Sequence, residues 1–246
     1  HFAFGKFETR KRFIVEGSRA FNCSYVYANQ VGNAAGRMIY DGGALIASGE
    51  RLLSEGPRFS YKDADITTAT VDLNQTRMRQ AKSHSFEPSF DKDSAIRFSM
   101  DLLSTEKSLS PSSPTTPSGW QGGGNIKEEE FTRAVALGLF DYMRKSPSHG
   151  YVVSLSGGAD SSACACLIAM MVHLGMEDLG ISGLREKLQH ISGLDQCSSV
   201  EDCIGQLLLC VYQATDNSSE TTLNAAKSVA QAIAAAEAAR PAWSAM

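Results

Sequence analysis

Six consecutive residues form the strongest candidate for a chemical site: Ser156-Gly157-Gly158-Ala159-Asp160-Ser161, referred to below as the glycine loop. Two adjacent glycines let backbone N–H groups approach an anion closely, and a helix beginning behind them adds partial positive charge. The serine hydroxyls can donate to phosphate oxygens. The Asp160 carboxylate would repel phosphate by itself, so its presence implies a cation, and Mg²⁺ prefers carboxylate, water and phosphate oxygens. The loop predicts a site for a phosphate and its magnesium ion.

The elements around the loop are predicted from apolar patterning. Residues 151–155 indicate a short buried strand and residues 163–174 a buried helix. A second buried strand is predicted over residues 207–212, and residues 215–219 cap a further helix. Strand, loop and helix repeated in this way are typical of a parallel sheet covered by helices. A chance Gly-Gly turn before a capped helix is the alternative, and the complete hexapeptide between two apolar elements argues against it.

A helix is also predicted before the first of these strands. The acidic run at residues 127–130 would lie at its positive end, and Ser146-Pro147 would end it. Its apolar positions follow helical spacing: Phe131, Ala134, Val135, Gly138, Leu139 and Tyr142.

The first 80 residues predict a separate α/β or α+β layer. A helix is expected over residues 6–21, with Phe7, Phe13, Ile14, Gly17 and Phe21 on one face. Strands are expected over residues 24–29 and 65–73. Residues 37–40 and 44–47 flank Asp41-Gly42-Gly43, a turn sequence that predicts a hairpin.

A flexible linker is predicted between the two layers. Residues 110–124 combine three prolines with a Gly-Gly-Gly run, and such a composition cannot bury enough apolar surface to offset the entropy of ordering. The predicted organisation is a domain over residues 1–80, a linker over 81–126 and a second domain over 127–246.

Composition excludes some classes of function. The chain has 246 residues, 43% of them hydrophobic and 20% charged, and a net charge of −4 without a basic run, which argues against nucleic acid as a partner. No uninterrupted apolar stretch has the length of a membrane span. The six cysteines lack zinc-ligand spacing, and we expect reduced, mostly buried thiols in a cytoplasmic protein. Because the chain begins with His1 rather than Met, we expect its natural start to lie upstream.

The glycine loop resembles the SGGxDS loop of the N-type ATP pyrophosphatases, and it lacks the lysine of the Gly-Lys-Ser/Thr nucleotide loop. Residues 128–135, 141–145 and 210–221 are similar to the corresponding segments of glutamine-dependent NAD synthetases. Residues 1–6, 10–12, 25–29 and 41–44 resemble the closing part of the nitrilase-type glutaminase domain fused to those enzymes. The resemblance implies an α/β fold: the C-terminal part of a nitrilase-like domain, then a parallel-sheet ATP pyrophosphatase domain.

The resemblance also implies a reaction. The nicotinate carboxylate of deamido-NAD attacks the α phosphorus of ATP, releasing pyrophosphate and leaving an acyl-adenylate, and ammonia from glutamine then displaces AMP to form the amide. ATP and Mg²⁺ are the implied cofactors, deamido-NAD and glutamine the substrates, and a homo-oligomer the expected assembly. Lys6 matches a glutamine-binding position, and Asp160 the metal-binding one. The implied ATP-binding residues are Ser154, Leu155, Ser156, Gly157, Gly158, Ala159, Asp160 and Ser161.

Two departures from the family pattern bear on activity. The resemblance places the Glu-Lys-Cys triad of the glutaminase upstream of His1, so no catalytic residue is assigned here, and Cys23 is expected to be a small buried hydrophobe. The alanine-rich residues 232–246 drift from the pattern, and the deamido-NAD pocket is expected to be incomplete.

Two other functions stay open at this point. The chain could be another N-type ATP pyrophosphatase, such as a relative of GMP or asparagine synthetase, although those enzymes use different glutaminases. It could also be a non-catalytic nucleotide-binding or assembly module. The histidines lack ligand spacing, and Ser218 and Ser219 are either helix caps or additional nucleotide contacts.

Overall fold

The structure is a computed structural model that describes residues 1–35, 37–83, 99, 119–215 and 218–233. The first part of the chain alternates one helix, five strands and a second helix. In order they are α1 (Lys6–Ala20), β1 (Ser24–Ala28), β2 (Val31–Ala35), β3 (Met38–Asp41), β4 (Ala44–Ser48), β5 (Arg51–Glu55) and α2 (Leu73–Lys82).

The later part of the chain is mainly helical. It contains α3 (Ile126–Lys145), β6 (Tyr151–Ser154), α4 (Ala159–Lys187), α5 (Val200–Leu207), β7 (Leu208–Val211) and α6 (Glu220–Ala232), with short 3₁₀ helices at Gly119–Gly122 and Leu194–Gln196.

Three sheets occur in the described ranges. An antiparallel sheet has the order β1-β4-β5, β2 and β3 form an antiparallel hairpin, and β6 pairs with β7 in parallel, with Tyr151 opposite Leu208 and Ser154 opposite Val211. The parallel pair confirms the sequence prediction for this region, and the chain as a whole is α/β.

The predicted hairpin around Asp41-Gly42-Gly43 is wrong. β3, which ends at Asp41, pairs with β2, whereas β4 pairs with β1 and β5. The chain changes sheets here because Asp41 is buried beside Arg10, and because the N–H of Gly42 donates to the Gln30 carbonyl rather than closing a tight turn. The turn that closes the β4–β5 hairpin lies at Gly49 and Glu50, which both have positive φ.

The predicted strand over residues 65–73 is also wrong. The chain is irregular up to Asp72, whose carboxylate accepts the N–H groups of Asn74 and Gln75 and so begins α2. This N-cap satisfies two of the backbone donors that a helix start leaves free, and it outweighs the strand preference of the threonines and valine before it.

The helix predictions are correct in position, and the predicted faces are buried only in part. Phe7 and Ile14 of α1 are buried, whereas Phe13 and Phe21 are 72% and 71% exposed. In α3 the predicted Ala134 and Gly138 are buried and Phe131 and Tyr142 are exposed, while the buried face also includes Ala136, Leu137, Phe140 and Met143. The apolar residues of both helices are wider than one face, so their spacing alone does not select the buried side.

The main core lies between α3, α4 and the β6–β7 pair. It includes Phe140, Met171, Leu207 and Cys210, and it also receives Phe59 and Tyr61 from the segment after β5. A smaller core lies under α1, formed by Phe7, Ile14, Leu45 and Ala47.

Half of the six cysteines are buried. All six are free thiols; Cys197, Cys203 and Cys210 are buried, Cys23 is half-buried, and Cys164 and Cys166 are exposed on α4. The expectation of mostly buried thiols therefore holds for three positions.

Helix α4 is the longest element and is bent at Gly180, whose φ of 66° and ψ of 172° are not helical. Among the described residues it is the one helix that is long and apolar enough, by length and composition, to cross a membrane. Its residues Ala165, Ile168, Met171 and Val172 are buried in the main core. The most apolar 18-residue window of α4 is 39% buried, and core helices meet the same criteria of length and composition.

An ionic cluster joins the first part of the chain to α3. The Arg58 side chain is 2% exposed. Its guanidinium donates to Glu130 at 2.7 Å and lies 3.7 Å from Asp41. It also lies over the rings of Phe7 and Trp120. Trp120 lies at the end of the predicted linker, most of which falls outside the described residues.

A second link joins the β2–β3 hairpin to α3. The Asp141 carboxylate accepts the N–H of Asn33 at 2.8 Å and also binds Arg144 and Lys145, each at 2.9 Å. The hairpin comes close because Gly32 has no side chain; a Cβ atom there would lie 2.1 Å from the Asp141 carboxylate.

Candidate functional site

The glycine loop begins where β6 ends, at the carboxyl edge of the parallel pair. Ser154 is the last residue of β6, and the buried Leu155 continues the pairing, because its N–H donates to the Val211 carbonyl at 2.8 Å. From Ser156 onward the chain leaves the sheet and enters α4 at Ala159. Ligands of open α/β sheets bind at this edge, beyond the carboxyl ends of the strands.

Gly157 has a backbone conformation and surroundings that only glycine tolerates. Its φ is +81°, and a Cβ atom would lie 2.5 Å from the backbone oxygen of Thr222 in the first turn of α6. Gly158 is different: its φ is −90°, and it serves as the N-cap of α4. The first glycine therefore fixes the close contact between the loop and α6.

Several N–H groups of the loop remain available to a ligand. Within the described ranges, the backbone N–H groups of Gly157, Ala159, Asp160 and Ser161 make no hydrogen bond. The N–H groups of Ser156 and Gly158 have only long contacts, 3.3 Å to the Ser161 hydroxyl and 3.4 Å to the Ser156 hydroxyl. Donors at a helix N-terminus that lack an internal acceptor are suited to bind an anion.

Hydroxyl groups organise the remaining acceptors of the loop. The carbonyl of Gly158 accepts the hydroxyls of Ser161 at 3.2 Å and Ser162 at 2.8 Å, and the Ser156 and Ser161 hydroxyls lie 3.2 Å apart. Ser154 is 3.5 Å from the Gln213 side chain, which links the ends of the two strands. The Gly158 carbonyl is thus occupied by two hydroxyls of the first turn of α4.

A second helix begins beside the loop. Ser219 caps α6, because its hydroxyl accepts the N–H of Thr222 at 3.2 Å, and the Ser218 hydroxyl accepts the N–H of Thr215 at 2.8 Å. Ser219 is thus a helix cap, one of the two roles considered for it, whereas Ser218 lies one residue before the cap and bonds to the turn that precedes α6. The positive ends of α4 and α6 meet where Gly157 contacts Thr222.

Asp160 is an exposed carboxylate at the start of α4. Within the described ranges it has no ion pair or hydrogen bond, and no group of three or more His, Cys, Asp or Glu side chains could hold a metal ion by itself. A cation at Asp160 would therefore need oxygens from a ligand and from water.

Lys6 lies in the first turn of α1, far from the glycine loop in the sequence. Its backbone N–H donates to the Ala3 carbonyl at 3.1 Å, and the half-buried side chain makes no hydrogen bond or ion pair with the described residues. Among the described residues no hydrogen bond or ion pair joins Lys6 to the glycine loop, so the two predicted sites are separate features of the chain.

Thr222 and Tyr212 were not predicted as part of the site. The Tyr212 hydroxyl lies 2.9 Å from the Thr222 side-chain oxygen, and Thr222 forms the surface on which Gly157 rests. The signal available in the sequence was a tyrosine directly after an apolar strand, followed by a capping segment. Their distance from the loop, more than 50 positions along the chain, hides the contact.

No family model matches the chain. The sequence comparison and the structure comparison both found relatives with the same name. Human glutamine-dependent NAD(+) synthetase is 33% identical over 219 residues, covering 85% of this chain and 30% of the relative. The mouse enzyme of the same name is 32% identical over 247 residues, covering 95% of this chain and 33% of the relative. The chain thus spans about a third of the length of these curated relatives.

Two solved structures are similar to this one. A glutamine-dependent NAD(+) synthetase from Cytophaga hutchinsonii matches with a TM-score of 0.67 and 35% identity, over 96% of this chain and 33% of that chain. A glutamine-dependent NAD+ synthetase from Acinetobacter baumannii in complex with ADP matches with a TM-score of 0.50 and 15% identity, over 94% of this chain and 30% of that chain, which supports the fold alone. The chain belongs to the glutamine-dependent NAD(+) synthetase family, of whose members it spans about a third.

Proposed function

We propose that this chain carries the ATP-binding loop of a glutamine-dependent NAD(+) synthetase and that the loop binds the phosphates released as pyrophosphate. The observation that carries the proposal is the set of backbone N–H groups at Gly157, Ala159, Asp160 and Ser161, which lack acceptors in the described part of the chain. In the full reaction, ATP would activate the nicotinate carboxylate of deamido-NAD, and ammonia from glutamine would form the amide.

The chemistry of the loop is electrostatic. Negative charge accumulates on pyrophosphate as it leaves, and donors that are already oriented stabilise that charge without reorganising. The N-termini of α4 and α6 add partial positive charge at the same place, where Gly157 contacts Thr222. No ion pair or hydrogen bond joins the loop to a Lys or Arg side chain in the described ranges, so the protein's contribution there is made by dipoles.

Asp160 fits a magnesium ion that is shared with the nucleotide. Mg²⁺ keeps several waters and binds proteins through one or two carboxylates plus substrate phosphates, which matches one exposed, unpaired carboxylate beside the free N–H groups. When bound, the ion would neutralise charge on the phosphates. Asp160 would hold it, and the loop N–H groups would orient the phosphate chain.

The first part of the chain would supply the glutaminase side. We assign residues 1–80 to the closing part of a nitrilase-like domain and residues 127–246 to the beginning of the ATP pyrophosphatase domain. Lys6 would hold the substrate glutamine, a role consistent with an ammonium group that has no partner among the described residues.

Isothermal titration calorimetry of the 246-residue chain tests the proposal. We expect ATP and pyrophosphate to bind in the presence of Mg²⁺ and to compete with each other, while AMP binds much more weakly, since it lacks the β and γ phosphates. Equal affinity for AMP and ATP would move the site away from the loop, and absence of binding by all three would leave the family assignment without an ATP site in this chain.

A further inference from the structure

Tyr212 connects the second strand of the parallel pair to the start of α6. It lies one residue beyond β7, and its hydroxyl is 2.9 Å from the Thr222 side-chain oxygen. Hydrogen bonds with the Ser218 and Thr222 hydroxyls also hold the pKa of Tyr212 below its ordinary value. The phenol therefore binds both the residue before the N-cap and the first turn of the helix.

Thr222 has a second neighbour, the glycine loop. Its backbone oxygen would lie 2.5 Å from a Cβ atom at Gly157, and its Cα 3.1 Å from the same atom. Within α6, the Thr222 side chain also donates to the Ser219 carbonyl at 2.9 Å. A shift of this first turn would move the surface against which Gly157 packs.

The loop has little else to fix its shape. Its internal contacts through the N–H groups of Ser156 and Gly158 are 3.3 and 3.4 Å long, beyond the usual range for N–H donors. The firm contacts are the Leu155 N–H to Val211 at one end and the Gly158 carbonyl at the other. Gly157, between them, depends on its packing against Thr222.

We propose that Tyr212 is a positioning residue for the glycine loop: through Thr222, its hydroxyl sets where α6 begins and hence where the Gly157 N–H points. The inference rests on the proposed function, in which that N–H binds a phosphate of ATP. Tyr212 needs no contact with the nucleotide for this role.

Matched variants of the 246-residue chain can separate positioning from general stability. Tyr212→Phe removes the hydroxyl and keeps the ring, and Thr222→Val removes the other hydroxyl and keeps the branched shape. The control is Tyr151→Phe, because the Tyr151 hydroxyl donates to the Leu139 carbonyl at 2.7 Å and lies at the opposite end of β6. Each protein is measured by calorimetry with ATP and Mg²⁺, by thermal melting, and by NMR of ¹⁵N-glycine amides.

Tyr212→Phe is expected to weaken ATP binding by roughly three- to tenfold, the range that follows from losing one hydrogen bond. Thr222→Val should give at least as large a loss, because it also removes the bond to the Ser219 carbonyl, and the double variant should lose less than the sum of the two single variants, because the Tyr212–Thr222 contact is common to both. The amide signal of Gly157 should shift in both variants. Tyr151→Phe should lower the melting temperature while leaving ATP affinity and the Gly157 signal unchanged.

Two results would overturn the inference. One is ATP affinity of Tyr212→Phe equal to that of the Tyr151→Phe control; the other is an unchanged Gly157 amide signal in Tyr212→Phe. Loss of ATP binding by the unaltered chain would instead contradict the proposed function, and the NMR comparison would still decide whether Tyr212 positions the loop.

Discussion

Gly157 and Thr222 lie so close that a single added Cβ atom on the glycine would come within 2.5 Å of the threonine carbonyl oxygen. The contact joins the loop between β6 and α4 to the first turn of α6, two elements separated by a large part of the later chain. It makes the shape of the proposed phosphate site a property of tertiary packing as well as of the loop sequence.

Gly157→Ala is expected to abolish measurable ATP binding and to lower stability. The alanine would have to adopt a φ of +81° and overlap the backbone of Thr222, and neither group can move away as a flexible side chain could. Gly180→Ala is the matched control, because its φ is also positive, +66°, but nothing lies within 4 Å of the added atom. Calorimetry should show unchanged ATP affinity for the control; equal losses in both variants would show that strain, not contact, governs the loop.

Asp160→Asn should weaken ATP binding in the presence of Mg²⁺ and have little effect in excess EDTA. The amide removes the charge that would hold the ion, whereas the loop N–H groups remain. Without a metal ion, the phosphates of ATP and the Asp160 carboxylate repel each other. We therefore expect the variant to bind metal-free ATP slightly better than the unaltered chain does. Titrations at two metal concentrations measure this difference. An identical loss with and without Mg²⁺ would assign Asp160 a structural role.

Asp141→Asn should destabilise the protein near neutral pH by about 1–3 kcal/mol, because an amide replaces a carboxylate that binds three donors. Burial opposes ionisation of Asp141, but hydrogen bonds from Lys145, the Asn33 N–H and Arg144 outweigh it and hold its pKa below the ordinary value.

The sign of the pH dependence follows from that lowered pKa. A carboxyl whose pKa is lower in the folded state contributes stability above its unfolded value of about 3.9 and loses it as the pH falls through the folded value. The stability difference between the unaltered chain and Asp141→Asn should therefore narrow below about pH 4. Urea unfolding across this range measures it, and the exposed Glu16→Gln serves as a control. A difference that does not change with pH would exclude the charge of Asp141 as its cause.

Arg58→Met should cost about 3–5 kcal/mol of stability, because it leaves the buried Glu130 without its cation and Asp41 with Arg10 alone. Arg58→Lys should recover only part of the loss, since lysine keeps the charge but cannot stack on the Phe7 and Trp120 rings in the same way. Urea unfolding compares these variants with Arg19→Ala, whose surface pair with Glu16 should make no measurable contribution. A mild effect of Arg58→Met would mean that water reaches the two carboxylates.

The sequence was sufficient to predict the elements around the glycine loop. It was insufficient to predict how the strands pair in the first part of the chain. An apolar strand, two glycines and an apolar helix determine the local path from β6 to α4, so the loop could be located from residue types alone. The pairing of β3 with β2 depends on where Asp41 is buried, and that burial depends on Arg10 and Arg58, which are distant in sequence.

The same reason explains what was missed beside the loop. Thr222 and Tyr212 have ordinary local patterns, a capped first turn and a residue after a strand. Their importance comes from a contact across the sheet edge, which no spacing rule encodes. The buried faces of α1 and α3 were predicted only in part for a related reason. Both helices carry more apolar residues than one face can bury.

The position of Arg58 has a consequence for cutting the protein into pieces. One cation neutralises an acid from the β2–β3 hairpin and an acid from α3, so a break anywhere between residues 83 and 119 would leave Asp41 and Glu130 on different polypeptides while only one of them kept the arginine. In the fragment that begins after the break, the Glu130 carboxylate and the aromatic surface of Trp120 would be exposed to water, although both contact Arg58 in the whole chain. Co-expressed halves should consequently reassociate with each other rather than fold as independent units.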